Sequence, residues 1–443
     1  MHGAGNGPRF AIIHEEEATA TGLGARRVYA PAARGLHREA ERASPEYWRE
    51  LLRADRKRRL GASTTGPAVH VPMYDGFDAG DVYLHVEAGG KTFNVQLDTG
   101  STDLAVPSSM CSACNHTDPP YTPGSSATPL ECSAYSGCTC NSHQVCTYDI
   151  AYMDGSGFGA TIYTDSVAAG SVRTSTGLVG AITSEHGWDD ANLEGIFGVG
   201  FSGASEIGAP STIVKMLKDS SLERTFSICV MPTSGELILG GQAGTQTPIW
   251  VPTLQGTDGQ PKDGYWTVHA TSIEIDGHKL PIDESAYNVG DCIVDSGTTY
   301  VIWPKKIFKG MFHMLQHACQ GRDLVGVCNE TFSGSILGGR YDCWKLTQAE
   351  MHAYPTMSIN LGPDGNDHRI DFGPRDYFMG PDEDGWVCLA MAPDTLQDGV
   401  ILGDTLMQQY QTIFDQQGGT QTARIGFLPS ATCGSDAAPV QRD

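Results

Sequence analysis

Two short segments of the chain have the make-up of a carboxylate held in a tight turn. Asp98-Thr99-Gly100-Ser101 and Asp295-Ser296-Gly297-Thr298 each set an acid ahead of a hydroxyl residue, a glycine and a second hydroxyl residue. Gly100 and Gly297 let the chain fold back so that backbone N–H groups reach each carboxylate. Ser101 and Thr298 are placed to donate to the outer carboxylate oxygens and so orient them. Thr99 and Ser296 are placed to tie the two turns to each other. Two carboxylates brought together cannot both ionise cheaply, so they share one proton: one acts as base toward water, the other as acid toward a carbonyl oxygen. Such a pair titrates as a unit. This is chemistry for hydrolysing an amide with neither a metal nor a covalent intermediate, and it makes Asp98 and Asp295 the expected catalytic residues.

One such motif arises by chance in roughly one chain of this length in fifty, and two in very roughly one in several thousand. The likeness also runs further than the motif. Asp98 to Pro107 aligns without gaps with Asp295 to Pro304, and each segment follows a strand-like run, Phe93 to Leu97 and Cys292 to Val294. Ile196-Phe197-Gly198 and Ile401-Leu402-Gly403 supply a second repeated element, each at a similar distance beyond its Asp. Two homologous halves joined near residue 245 are expected.

The elements that must position these turns are short strands. A chain of 443 residues exceeds one ordinary core. Its 54 Gly and 24 Pro punctuate brief runs of Val, Ile, Thr and Tyr, which points to an all-β architecture. The formal net charge of −23 excludes nucleic acid as a partner, because phosphates would be repelled. Of the 29 Lys+Arg and 52 Asp+Glu, positions 1–70 nonetheless hold 12 and 8, leaving 17 and 44 for the rest. A basic leader at 1–68 attached electrostatically to an acidic body is the expectation, loosened as carboxylates neutralise in acid. Pro45 to Leu60 reads as a helix ending in Arg56-Lys57-Arg58-Arg59, and a Gly/Ser/Thr-rich stretch follows. The bland alternative is a solvated basic helix end before a linker; the sharp change of composition favours a removable prosegment cut near Arg59. The opening residues lack the apolar core of a secretory signal, so either the natural start lies upstream, the favoured expectation, or export takes another route. No apolar stretch is long enough to span a membrane.

Thirteen cysteines, six of them between Cys111 and Cys146, suit an oxidising lumen or the cell exterior. Cys111, Cys114, Cys132, Cys138, Cys140 and Cys146 could hold zinc, but no companion spacing completes a finger, and three disulfides stapling an insertion at 111–146 is the better reading. Asn115-His116-Thr117 and Asn329-Glu330-Thr331 are glycosylation sequons. The histidines show no metal or triad spacing, and Gly200-Phe201-Ser202-Gly203 lacks a nucleophile elbow. No cofactor or metal is implied.

With these motifs in hand, the chain over about residues 75 to 433 resembles the pepsin family of aspartic proteases. Beyond the two Asp turns, Tyr152-Met153-Asp154-Gly155-Ser156-Gly157 resembles that family's hairpin flap, with Tyr152 as the flap tyrosine. Trp250-Val251-Pro252 with Gly264-Tyr265-Trp266, Ile401-Leu402-Gly403-Asp404, Phe414-Asp415 and Ile425-Gly426-Phe427 resemble its second-lobe strands. The Cys-rich stretch, the Tyr-x-Asp-Gly-Ser flap and Phe226-Ser227-Ile228-Cys229 are similar to the plant nepenthesin-like branch. The resemblance implies a bilobal all-β fold with pseudo-twofold symmetry. It places an N-terminal lobe at 69–245 with a flap at 148–160, a C-terminal lobe at 246–443, and a cleft between them. It further implies an acid-acting endopeptidase made as a zymogen, secreted or vacuolar, monomeric, that binds polypeptide as an added strand. It pairs Cys343 with Cys388 and Cys229 with Cys433; Cys319 and Cys328 are close enough in sequence to pair locally. Cys292 is then left as a small buried hydrophobe. Asp404 and Asp415 are expected to brace the closing strands rather than join the site. In one departure, Ala105 stands where the family commonly has an aromatic that supports the flap tyrosine.

Overall fold

In a computed structural model of the chain, apolar and polar residues alternate along β1 (Lys91–Asp98). Phe93, Val95 and Leu97 are buried, Thr92 is exposed, and Asn94 and Gln96 are half-buried, the period of a strand with one face in the core. The structure describes residues 67–75, 82–111, 114, 120–152, 155–188, 193–231, 234–257, 259–337, 343–362, 368–379, 386–394, 399–419, 422–429 and 433. The expected leader helix and its basic run, the Asn115 sequon, and Met153 and Asp154 of the flap lie outside these residues.

The described chain forms two units, both built mainly of β-strands. The first, Tyr83–Leu222, contains β1, β2 (Leu104–Pro107), β3 (Cys146–Ala151), β4 (Gly157–Ala169), β5 (Val172–His186) and β6 (Gly195–Gly198). Their order in the sheet is β1-β6-β2-β5-β4-β3. β6 is parallel to β1 and antiparallel to β2, and β2 is parallel to β5. Strand β6 is buried along its whole length, which is why Gly-Ile-Phe-Gly carries no outward polar residue. Helix α1 (Thr212–Asp219) buries Ile213, Met216 and Leu217 at helical spacing and lies against β5.

The second unit comprises Glu223–Asp443 together with the chain up to Val82. It contains β7 (Cys292–Val294), β8 (Val301–Pro304), β9 (Met391–Asp394) and β10 (Val400–Leu402), ordered β7-β10-β8-β9 after the short strand Thr267–Val268. β10 is parallel to β7 and antiparallel to β8, and β8 is parallel to β9. Order and sense repeat those of β1-β6-β2-β5, so the repeat seen in the sequence is a repeat of topology. Helix α2 (Lys305–Ala318) covers β8 and β9 with Ile307, Phe308, Met311, Phe312 and Leu315. Strands Ile249–Pro252, Arg424–Pro429, Tyr410–Asp415, Thr225–Met231, Ser234–Leu239 and Val69–Asp75 are hydrogen-bonded neighbours in that order. The sequence set the join of the halves near residue 245, whereas Thr225–Met231 and Ser234–Leu239 lie in this second unit, paired with strands distant in the chain. Its core includes Phe226 stacked on Phe414 at 5.0 Å, with the buried Trp266 ring 5.0 Å from Phe414 and edge-on to it. Asp415 accepts from Arg424 Nε at 2.8 Å and from Gln417 N at 2.9 Å, so it braces these closing strands.

Six disulfides are present. Cys111–Cys114, Cys132–Cys140 and Cys138–Cys146 staple the insertion, and their sulfurs are thereby unavailable as thiolate ligands. Cys229–Cys433, Cys319–Cys328 and Cys343–Cys388 follow the pairing that the sequence suggested. Cys292 is the free cysteine; it is buried in β7, and burial drives its thiol far above the usual range, so it stays protonated. Asn329, of the second sequon, is exposed, with φ 65°. Among the described residues no helix is long and apolar enough to cross a membrane.

Glycine is required where β10 ends. A Cβ on Gly403 would stand 2.1 Å from the Thr298 carbonyl oxygen and 2.3 Å from that of Tyr300. Gly403→Ala should therefore lower stability by roughly 1–3 kcal/mol, the usual effect of forcing extra volume into packed structure. Gly124→Ala, where nothing lies within 4 Å, should leave the urea midpoint unchanged. Equal midpoints for the two variants would contradict the packing described.

Candidate active site

Each unit delivers one aspartate at the end of a strand. Asp98 is the last residue of β1, and β6 runs beside it with Gly198 opposite Asp98. The Val199 N–H donates to the Asp98 carbonyl at 2.8 Å. The turn that follows is then sewn to the end of β6: Gly198 N donates to Asp103 O at 3.0 Å, Gly200 N to Ser101 O at 2.7 Å, and Thr102 Oγ1 to Phe201 O at 2.7 Å. This approach leaves no room for a side chain at Gly198, where a Cβ would lie 2.4 Å from Thr102 N. Ser211, ahead of α1, adds a hydrogen bond from its Oγ to Gly198 O at 2.7 Å.

In the second unit the Asp295 N–H donates to Leu402 O at 3.0 Å, at the end of β10. Asp404 N donates to Thr298 O at 2.9 Å, and Thr405 donates to Thr299 O through N at 2.9 Å and Oγ1 at 2.8 Å. Asp404 thus stitches the turn through its backbone.

The carboxylates are held alike. Asp98 Oδ1 accepts from Gly100 N at 2.8 Å, and its Oδ2 accepts from the Ser101 hydroxyl. Asp295 Oδ1 accepts from Gly297 N at 2.9 Å, and its Oδ2 from Thr298 Oγ1 at 2.7 Å. Both aspartates are buried, at 5% and 7% exposure, as are Thr99 and Ser296. A carboxylate that accepts a backbone N–H on one oxygen and a hydroxyl on the other keeps its orientation. Among the described residues no group of His, Cys, Asp and Glu is arranged to hold a metal ion.

Tyr152 sits in the same unit as Asp98. It follows β3, accepts the Gly155 N–H on its carbonyl at 3.1 Å, and donates its N–H to Ser156 O at 2.8 Å. Its hydroxyl is held protonated, first by burial and then by the negative fields of Tyr148, Asp98, Asp103 and Glu206. Tyr152 therefore stays a hydrogen-bond donor at any working pH, within electrostatic reach of Asp98.

Two residues near the site were not singled out in the sequence. Asp103, shortly beyond Asp98, accepts from Ser205 Oγ and Glu206 N, both at 2.8 Å. The residue as a whole is only half-buried, but its carboxyl lies under the Ser205–Glu206 turn. Burial raises it to about 6, more than those two hydrogen bonds lower it. Its signal in the sequence was a clear mismatch of the repeat, an acid facing Tyr300. Trp188, just beyond β5, places its ring 6.1 Å from that of Tyr152. It gave no signal, because nothing local marks a ring so far along the chain as a neighbour.

Units built mainly of β-strands, each ending a strand in an oriented aspartate, define the pepsin-like class of aspartic hydrolases. A family model described as eukaryotic aspartyl protease matches residues 83–428, and the chain belongs to that family. It is an aspartic endopeptidase, acting on polypeptides. It is 25% identical to the aspartic proteinase nepenthesin-1 of Nepenthes gracilis over 96% of this chain and 94% of that one. It is 24% identical to an aspartic protease of Phaffia rhodozyma, covering 77% and 74% of the two chains, and 23% identical to aspartic proteinase 36 of Arabidopsis thaliana, covering 73% and 69%.

Asp103 gives a pH dependence of definite sign. Its carboxyl binds a proton more tightly in the folded chain, at about 6, than at the ordinary value of 3.8. The folded state therefore holds more protons between those values, and its stability falls as pH rises through that window. Asp103→Asn should flatten the fall, lowering the proton uptake linked to folding between about pH 4 and about pH 6 by up to one proton. Urea midpoints of the two proteins at several pH values give the difference; parallel curves would contradict the assignment.

Proposed function

We propose that this endopeptidase cleaves peptide bonds in acid through Asp98 and Asp295 acting on one water molecule. The observation that carries this reading is the matched pair of hydrogen-bond sets, backbone N–H on one oxygen and hydroxyl on the other, at two aspartates from different units. One carboxyl is ionised and takes a proton from water as the oxygen attacks the scissile carbonyl carbon. The other is protonated and gives its proton to the carbonyl oxygen. The tetrahedral diol then collapses: the carboxyl that took the proton from water gives it to the leaving nitrogen, the other carboxylate takes a proton from a diol hydroxyl, and the C–N bond breaks. Because this cycle needs one carboxyl protonated, activity falls when both are ionised at higher pH. Gly100, Ser101, Gly297 and Thr298 keep the two carboxyls from reorienting during the reaction. Thr99 and Ser296 support the same turns. Tyr152 closes over the substrate, excludes water and donates toward the peptide. The substrate is an extended polypeptide, aligned by its backbone hydrogen bonds.

The same reading takes residues 1–68 as a prosegment. Its positive charge attracts it to an acidic body at neutral pH, and protonation of carboxylates weakens that attraction. The disulfides support a location of the mature protein outside the cell or in an oxidising lumen. The enzyme acts as a monomer.

Hydrolysis of a denatured protein between about pH 2.5 and about pH 7.5 should show activity confined to the acid limb, and Asp98→Asn or Asp295→Asn should each reduce kcat by at least about a hundredfold to ten-thousandfold. Wild-type rates in either variant would sink the mechanism. Ser101→Ala and Thr298→Ala each remove one hydrogen bond to a charged group, so kcat/KM should drop about tenfold to a hundredfold. On acidification the full chain should acquire a new N-terminus between Arg59 and Pro67, detected by mass spectrometry; retention of residues 1–58 in the active species would exclude the zymogen reading.

A further inference from the structure

The hairpin β3–β4 is backed at its turn by the end of β5. Gly187 adopts a left-handed φ of 67°, and a Cβ there would lie 3.1 Å from Ser156 Cα. Opposite it, a Cβ on Gly157 would meet the Ile150 carbonyl at 2.3 Å and the His186 ring at 2.8 Å. The end of β5 is therefore pressed close against the start of β4: Gly157 leaves no room for a side chain, and Gly187 combines a tight contact with a left-handed backbone.

The next residue fills the space beside Tyr152. The Trp188 ring lies 6.1 Å from the Tyr152 ring. It stands edge-on to Phe158, also at 6.1 Å. Tyr152 and Phe158 are themselves 6.0 Å apart. The three rings thus form a closed set of aromatic pairs. Trp188 is itself held, since its Nε1 donates to Leu193 O at 3.2 Å, just ahead of the strand that runs beside Asp98. From β2, the same apolar cluster receives only the methyl group of Ala105, which is fully buried. Tyr148 takes the room next to it, with its hydroxyl 2.9 Å from where a Cβ on Gly180 would begin. The sheet beneath the hairpin therefore offers Tyr152 no ring from β2, and the support comes from the side, from Trp188.

We propose that Trp188 is the positioning residue for Tyr152, a ring anchored outside the hairpin that fixes where the Tyr152 ring rests. This rests on the reading of Tyr152 as the residue that closes over substrate. Trp188 touches no reacting atom and acts only through Tyr152. Its loss lets the tyrosine ring leave its place while the two Asp turns stay intact.

The test is a double-mutant cycle at residues 152 and 188, read as kcat and KM on one peptide substrate in acid. Trp188→Ala should lower kcat on the order of tenfold to a hundredfold, the loss of two aromatic pairs, with a smaller change in KM. Trp188→Phe, which keeps a ring, should recover most of it. In a Tyr152→Ala background, Trp188→Ala should have little further effect, because both changes remove the same function. Multiplying rather than overlapping losses, or an unchanged kcat in Trp188→Ala, would overturn the proposal. If Trp188→Ala does not fold, the comparison of Trp188→Phe with Trp188→Leu decides: equal kcat in the two would overturn it. An unchanged kcat in Tyr152→Ala itself would instead refute the reading of Tyr152, and an active Asp98→Asn the reading of the aspartates.

Discussion

The site depends on a steric exclusion: the chain after each aspartate lies so close to a neighbouring strand that only glycine fits there. At Gly198 and Gly403 any side chain would occupy the position of backbone atoms in the opposing turn. That closeness lets the turn and the strand end exchange backbone hydrogen bonds, and those bonds fix the path of residues 98–103 and 295–300. With the path fixed, a backbone N–H and a hydroxyl fall on the two oxygens of each carboxylate. Orientation of the acid is therefore a property of strand packing rather than of the four-residue motif alone. The same arrangement removes the reorganisation that a mobile carboxylate would need during reaction.

Around Asp98 this constraint is shared with two further pieces of structure. Asp103 carries the turn onward to Ser205 and Glu206, and Ser205 Oγ in turn accepts from the N–H groups of Ile207 and Ala209. The disulfide-bonded insertion reaches the same place, with Gly137 N donating to Ile207 O at 3.3 Å and no space for a Cβ at residue 137. Cys146 starts β3, so the insertion is covalently joined to the root of the hairpin that bears Tyr152. Ile207, Ala209, Cys146, Tyr148 and Ala105 then close into one buried cluster. The hairpin, the Asp turn and the insertion are consequently joined through a single core.

Much of this was legible in the sequence, and for stated reasons. The aspartate motifs carry their own turn chemistry, so Gly100, Ser101, Gly297 and Thr298 could be assigned their hydrogen bonds from types and spacing. The Ile-Phe-Gly and Ile-Leu-Gly elements were visible as a repeat, but that they lie alongside the aspartate strands is a matter of sheet register, which no local pattern specifies. Thr225–Met231 and Ser234–Leu239 look in the sequence like a continuation of what precedes them, because their partners at Tyr410–Asp415 and Val69–Asp75 are far away in the chain. Trp188 was silent for the same reason. A ring in a loop declares its neighbours only after two strands and a hairpin are in place. Ala105 was informative as an absence, and the structure supplies the counterpart in Trp188 and Tyr148.

The staples of the insertion have a consequence for a protein surrounded by copies of itself that can cut polypeptides. Cys132–Cys140 and Cys138–Cys146 overlap, so that every peptide bond from residue 132 to residue 146 is spanned by at least one cross-link. A single self-inflicted nick anywhere in that stretch leaves both new ends covalently attached to the hairpin root. The insertion can thus be cut once by a neighbouring copy without the molecule coming apart.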